Sequence, residues 1–360
     1  MIEVLDTDAA LHALAPEWEA LWRRLPGRSP FTAPAWLLPW WRHFGTRQPR
    51  IATLRHGGRL AAVLPLYVLD ESSGDESSGD ESSGDESSWD GSSGAGPGGR
   101  KLLPIGAGLS DYQDMLAEPG VDPSPLLHAV LARADRLAVC DLIEVPPGSA
   151  LHGLAPPPGW AMAWGGGSPC PVLALPAAVA AMADAVPAAQ LRKLRMNRNR
   201  ADRGGGTVRE RAAADTLPAL QAELIRLHQA RWAAAGEPGV LADPAVLALH
   251  QDAAPGLLRD GVLRLEVLRA GGAVVAAIMA LLSPGRILFY LSGYDAAHAF
   301  ISPGTLLLGA MLEDAVQEGR TEAHFLRGQE AYKYAWGAAD RMNATCRLLP
   351  SPSSSGRGPG

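Results

Sequence analysis

The chain has 360 residues, 47% of them apolar, and carries 32 basic against 38 acidic side chains for a formal net charge of -6. Nine of the acids fall in one 30-residue stretch, residues 70–99, that holds no Lys or Arg, so the remainder stands near +3 and is about 51% apolar. Such a body buries substantial cores and is expected to form two domains, and its near-neutral balance argues against a nucleic-acid-binding protein.

In chain order, residues 2–5 read as a strand. Leu11, Leu14, Trp18, Leu21, Trp22 and Leu25 then recur at helical spacing and make one apolar stripe. A second helix is expected over 36–44, strands over 50–54, 60–69 and 102–105, a helix over 125–137 and a strand over 140–145. Between the second and third of those strands lie five copies of a five-residue unit (DESSG three times, DESSW, DGSSG) and a Gly- and Pro-rich run. That composition cannot build a core, so a disordered insertion at a hairpin tip is expected, and a disordered tail over 351–360. In the second half a strand is expected over 207–210, helices over 217–236 and 244–258, strands over 262–268, 273–282 and 287–291, a helix over 304–317 and a strand over 322–326. Both halves thus read β-α-α-β-β-β-α-β, an α/β fold with mixed sheets that points to a duplicated unit.

Between the halves, residues 190–211 contain eight Lys and Arg against Asp202 and Glu210. The run reads equally as a solvated linking helix, ended by Gly204, Gly205 and Gly206, or as a positive wall beside an anionic ligand. It holds no aromatic residue for base stacking, so nucleic acid is not expected as a partner. The longest apolar run, 273–282, is ten residues, too short to cross a bilayer as a helix. The start of the chain lacks the basic and apolar segments of a signal peptide, and a cytoplasmic location is expected. Cys140, Cys170 and Cys346 are odd in number and widely spaced, which argues against disulfides and a metal site.

The doubled unit ends in HFLRGQEAYKYAW. With FTAPAWLLPWW, SDYQD at 110–114, the basic LRKLRMNRNRADRGG, LHQARW at 227–232 and SPGTLLL at 302–308, it resembles the GNAT-superfamily acyltransferases with two tandem folds. The resemblance is to the CelD-like acetyltransferases of cellulose biosynthesis, related to the Fem peptidoglycan transferases. Where that family has an acid before the FLRG-like segment, this chain has His324. The resemblance implies a GNAT-like domain over 1–175, with its insertion over 70–99, a basic linking helix over 176–206 and a catalytic GNAT-like domain over 207–350. It implies an N- or O-acyltransferase that takes acetyl-CoA and a small-molecule or glycan acceptor in polysaccharide or cell-envelope metabolism, with peripheral association to an envelope system and no membrane-spanning segment. The alternatives are a Fem-like aminoacyl transferase, for which no long helical-hairpin arm is visible, and a non-catalytic scaffold.

In such enzymes the pyrophosphate of the donor rests on the N-terminus of the helix after the splayed strand. Ser302, Gly304 and Thr305 are the phosphate-contact candidates, and Gly293 the candidate bulge where backbone groups meet the cofactor. Ser302 also reads as a plain N-cap, with Pro303 in the first turn, and Gly293 as a turn. Arg327 and Lys333 are further cofactor candidates. Acyl transfer needs a base, donors for the developing oxyanion and an acid for the leaving thiolate. Tyr332 is the candidate acid, though Tyr332 and Trp336, four apart on one helix face, also read as core packing. Glu330 is the candidate base, or an ion-pair partner of Arg327 and Lys333. His324 is a second base, or a satisfied core histidine. Asp111, Tyr112 and Asp114 are acceptor-site candidates, or a capped turn.

Overall fold

The computed structural model describes residues 1–45, 48–70, 99–133 and 136–351. The body of the expected insertion and all but the first residue of the expected tail lie outside the described residues. The elements run β1 (Ile2–Leu5), α1 (Asp8–Arg24), α2 (Pro34–Phe44), β2 (Gln48–His56), β3 (Arg59–Asp70), β4 (Arg100–Pro104), β5 (Leu116–Ala117), α3 (Ser124–Leu131), β6 (Leu137–Val145), β7 (Trp160–Ala174), α4 (Met182–Ala185) and α5 (Ala188–Arg203). They continue with β8 (Thr207–Arg211), α6 (Leu217–Ala234), α7 (Pro244–Arg259), β9 (Leu263–Ala270), β10 (Ala273–Ser283), β11 (Arg286–Tyr294), α8 (Pro303–Gln317), β12 (Glu322–His324), α9 (Ala331–Ala335) and β13 (Ala339–Pro350).

Two compact units result, one of residues 1–168 with 342–360 and one of 169–341. In the first, β1, β2, β3 and β4 pair in turn as antiparallel neighbours, β6 pairs parallel to β4, and residues 342–350 of β13 pair antiparallel to β6. Asp70 stands opposite Arg100, so the long insertion joins two antiparallel strands at their paired ends. The stripe expected on α1 is buried, and Thr7 caps the helix by accepting from the Ala10 amide. The helix expected over 125–137 stops at Leu131, because Leu137 already pairs with Arg100 in β6.

The second unit repeats that arrangement. Its strands β8, β9, β10 and β11 are antiparallel in turn, β12 is parallel to β11, and residues 172–174 of β7 pair antiparallel to β12. Helix α8 packs on β9, β10 and β11, and so does α6. The apolar stripe of α8 shares a core with α5, Ile278, Ala280, Ile287 and Phe289, and no residue of α6 or α7 belongs to it. The two helices therefore cover opposite faces of the sheet.

Each half shows the expected order β-α-α-β-β-β-α-β, the first with the two-residue β5 added beside β3. In each, the last helix of that order stands between two strands that pair parallel, β4 with β6 and β11 with β12. The expected boundaries differ from the compact units in two respects. The basic helix α5 is packed into the second unit through Leu194 and Ala201, and is no free linker. Strands β7 and β13, absent from the sequence reading, each have residues in both units, and residues 342–350 belong to the first, where β13 pairs with β6.

Candidate functional site

Strands β11 and β12 are paired at Ile287 with Ala323 and Leu288 with His324, and there the pairing stops. The next residue of the β12 side, Phe325, gives its amide to the carbonyl of Pro171 instead, while β11 runs on to Tyr294. The two strands splay, and a cavity of 400 Å³ opens between them. Its apolar wall includes Phe289 and Phe325, whose rings stack at 5.5 Å, with Leu308 and Trp336 behind. In β11 the register against β10 slips between Met279 and Ala280, which face Leu291 and Phe289, so Tyr290 is the bulged residue.

That corrects the expectation for Gly293, which stays in register with Ala277. The glycine is required for another reason. A Cβ there would stand 2.4 Å from the His228 amide nitrogen and 2.5 Å from the Leu227 carbonyl carbon, so α6 crosses β11 only over a bare Cα. Gly293 still lines the cavity.

Ser302 precedes α8 in the left-handed region at φ 49°, and its hydroxyl caps no amide of the helix. Pro303 has no amide hydrogen to satisfy, and the Leu306 amide bonds to the Ser302 carbonyl. The amides of Gly304 and Thr305 are left at an uncapped helix start that faces the cavity. Gln190 and Lys193 of α5 reach the same cavity, as does Arg231 of α6. Other cations of the basic run are held in ion pairs: Arg198 with Glu313, and Arg209 and Arg211 with Glu266 and Asp314. Among the described residues that line the cavity there is no Asp, Glu or His, so its charge is positive.

Tyr332 lines the cavity, with its ring edge-on to Phe325 at 6.2 Å. Although 41% of the residue's surface is exposed, desolvation of the phenol against the cavity wall and the nearby Glu330 carboxylate hold its pKa above the usual value, against the pull of the Arg231 charge. Trp336 is buried and packs near Gly309 of α8, so the shared helix face serves both packing and the cavity.

The remaining candidates of that segment are not brought into the cavity. Lys333 is buried and clamps a turn: its ammonium donates to the carbonyls of Arg327 at 2.6 Å and Gly328 at 3.0 Å and pairs with Glu330 at 2.7 Å. That clamp holds Leu326, a buried residue at φ 61°, and Gly328 at φ 98°. Glu330 is thereby a partner of Lys333, and Arg327 supplies a carbonyl to the same turn. His324 is buried and donates from Nε2 to the Glu322 carboxylate at 2.9 Å. Burial lowers the His324 pKa, while the hydrogen bonds from His324 and Arg341 hold the Glu322 carboxyl well below the usual range.

In the first unit the matching gap between the parallel strands β4 and β6 is filled by chain. The Gln113 amide bonds to the Glu144 carbonyl at 2.9 Å, and Glu144, itself at φ 52°, accepts from Ser168 and from Asn343 at 2.7 Å. Asp111 and Tyr112 are buried in this plug. Asp114 accepts from the Ser149 hydroxyl and the Met115 amide, and burial raises its pKa to about 6. These three residues thus build the interior of the first unit. The sequence reading missed Arg231 and Tyr290, although Arg231 lies inside the LHQARW motif.

Among the described residues no group of side chains is arranged to hold a metal ion, and no helix is long and apolar enough to cross a membrane. Residues 188–334, from α5 to α9, match the family model of an acetyltransferase (GNAT) domain. No curated protein matches the chain. Among solved structures the chain is similar in fold to FemX, with 10% identity, a TM-score of 0.60 and coverage of 92% of this chain and 95% of that one. It is also similar to the C-terminal DUF2156 domain of an Agrobacterium fabrum protein described as a lysylphosphatidylglycerol synthetase, with 12% identity, TM-score 0.56 and coverage of 93% and 91%. A conserved Bacteroides thetaiotaomicron protein of unknown function gives 10% identity, TM-score 0.58 and coverage of 97% and 100%. The splayed parallel pair and the uncapped helix beyond it lie within the matched stretch, so residues 188–334 form an acyltransferase domain of the acetyltransferase (GNAT) type.

Proposed function

We propose that the second unit transfers an acyl group, acetyl in the simplest case, from coenzyme A to a small-molecule or glycan acceptor of polysaccharide or cell-envelope metabolism. The observation that carries this reading is the cavity at the splay of β11 and β12, with the uncapped start of α8 on its wall. The residues present fit the donor. Ser302, Gly304, Thr305 and Lys193 offer amides, a hydroxyl and a cation for phosphates, and Phe289, Phe325, Leu308 and Trp336 offer an apolar wall for the thioester arm.

The bound donor supplies an activated thioester carbonyl. The acceptor nitrogen or oxygen would form a bond to that carbon and release its own proton to solvent as the carbon–sulfur bond breaks. The leaving thiolate would take the phenolic proton of Tyr332, and the phenolate would regain a proton from solvent, so that one proton is lost and one gained. With neither Glu330 nor His324 in the cavity, an amine acceptor that enters as its free base fits better than a hydroxyl, because its lone pair attacks without prior removal of a proton. Calorimetric titration with acetyl-CoA tests the reading. Saturable binding is expected, and its absence at concentrations up to about 1 mM overturns it.

A further inference from the structure

Arg231 stands apart from the rest of the site. It comes from α6, on the sheet face opposite α8, yet it lines the same cavity. Its guanidinium lies over the Trp232 and Tyr294 rings, 5.6 Å from each centroid, and reaches within 3.5 Å of the Ser292 hydroxyl. It has no carboxylate partner among the described residues, and no acid lines the cavity around it. The two rings and the Ser292 hydroxyl restrict the guanidinium, so less freedom is lost when it binds an anion than for an arginine in open solvent. Its charge acts on the Tyr332 phenol, which places it at the reacting end of the cavity. In the proposed function the donor's phosphates are assigned to the α8 start and Lys193, which line the cavity from the other face.

We propose that Arg231 receives a carboxylate of the acceptor, so that the substrate class is an amine bearing a carboxylate, such as an amino acid or an amino-sugar acid. This rests on the acyltransferase reading of the same cavity. A bidentate guanidinium–carboxylate pair fixes both the position and the orientation of the acceptor, and it aligns the amine with the thioester carbon instead of merely raising its concentration. Ser292 and Tyr294 flank the pair and restrict how large the rest of the acceptor can be on that side.

The experiment titrates the full chain, saturated with free CoA, with a panel of amino acids and amino-sugar acids and with the methyl ester of each. At least one acid is expected to bind about tenfold or more tightly than its ester. In Arg231→Gln that preference falls to near unity while CoA affinity stays within about twofold. Arg231→Lys, which keeps the charge without the fork, retains part of the preference. Equal binding of acids and esters overturns the proposal, as does failure of every acid to bind, or a loss of CoA affinity in Arg231→Gln as large as the loss of acid affinity. The last result moves Arg231 to the donor site and leaves the acyltransferase reading standing. A chain that binds no CoA at all fails the earlier reading instead.

Discussion

The ammonium of Lys333 lies 2.6 Å from the carbonyl oxygen of Arg327 and 2.7 Å from the Glu330 carboxylate, with the lysine 2% exposed. A lysine so deeply placed supports the turn that carries Tyr332 to the cavity. Replacement by Met leaves buried carbonyls without a donor, and a loss of about 3 kcal/mol in unfolding free energy is expected. Glu330→Gln breaks only the half-exposed partner and is expected to lose at most about 1 kcal/mol. Urea unfolding of the two variants checks the order, and equal losses would show that the ion pair, not the carbonyl clamp, holds the turn.

Gly293→Ala tests the crossing of α6 over β11. The added methyl meets main-chain atoms of Leu227 and His228, which cannot rotate away, so a loss of about 3 kcal/mol or more is expected. Gly309→Ala is the control, since its methyl would meet mainly the side-chain tips of Leu194 at 2.8 Å. It is expected to lose about half as much in the same melt.

These positions also mark where the sequence was readable. The repeated element order was legible because helical stripes and apolar strands announce themselves by period, and most strand bounds fell within a few residues. Strands β7 and β13 were not. The first carries Gly165, Gly166, Gly167, Pro169 and Pro171 and reads as loop, and both take their place from partners far along the chain. At the site, the start of α8 was visible from Ser302 and Pro303, and Tyr332 from its segment. Lys333 and Arg231 were misread or missed because a cation in a helix ordinarily marks solvent, and only the packing shows that one is buried and the other faces a cavity.

Tyr332→Phe removes the proposed proton donor while keeping the ring against Phe325. A fall in kcat of about 10²-fold is expected, with acetyl-CoA affinity unchanged. Because the phenol pKa is raised, Tyr332 keeps its proton throughout the working range. Its ionisation therefore causes no decline of rate up to about pH 10, and with an amine acceptor the rate climbs with pH as the free base forms. An alkaline fall centred below that value, in a pH profile of kcat, would assign the acid role elsewhere.

Lys193→Ala removes a cavity cation that has no carboxylate partner among the described residues. Affinity for acetyl-CoA is expected to fall about threefold to tenfold, and its dependence on salt to weaken. Calorimetry at two ionic strengths reads both effects. Arg195→Ala, on the same helix but not among the lining residues, is expected to change neither.

Asp114 gives the first unit a pH dependence of its own. Its pKa rises to about 6 in the folded chain, chiefly through burial, against 3.8 for the ordinary side chain. Between those values the folded state keeps a proton that the unfolded state has lost. Stability from this group is therefore greatest below pH 4, falls as pH rises toward 6 and stays reduced above it. Asp114→Asn keeps an oxygen to accept from Ser149 and the Met115 amide and removes the ionisation. The variant is expected to match the parent near pH 4 and to exceed it by about 2 kcal/mol at pH 7. Taking the difference between the two chains at each pH cancels the opposite trend of Glu322, whose lowered pKa favours the folded state as pH rises. Urea midpoints from pH 4 to 8 measure that difference, and a flat line would mean that water reaches the Asp114 carboxylate as freely in the fold as outside it.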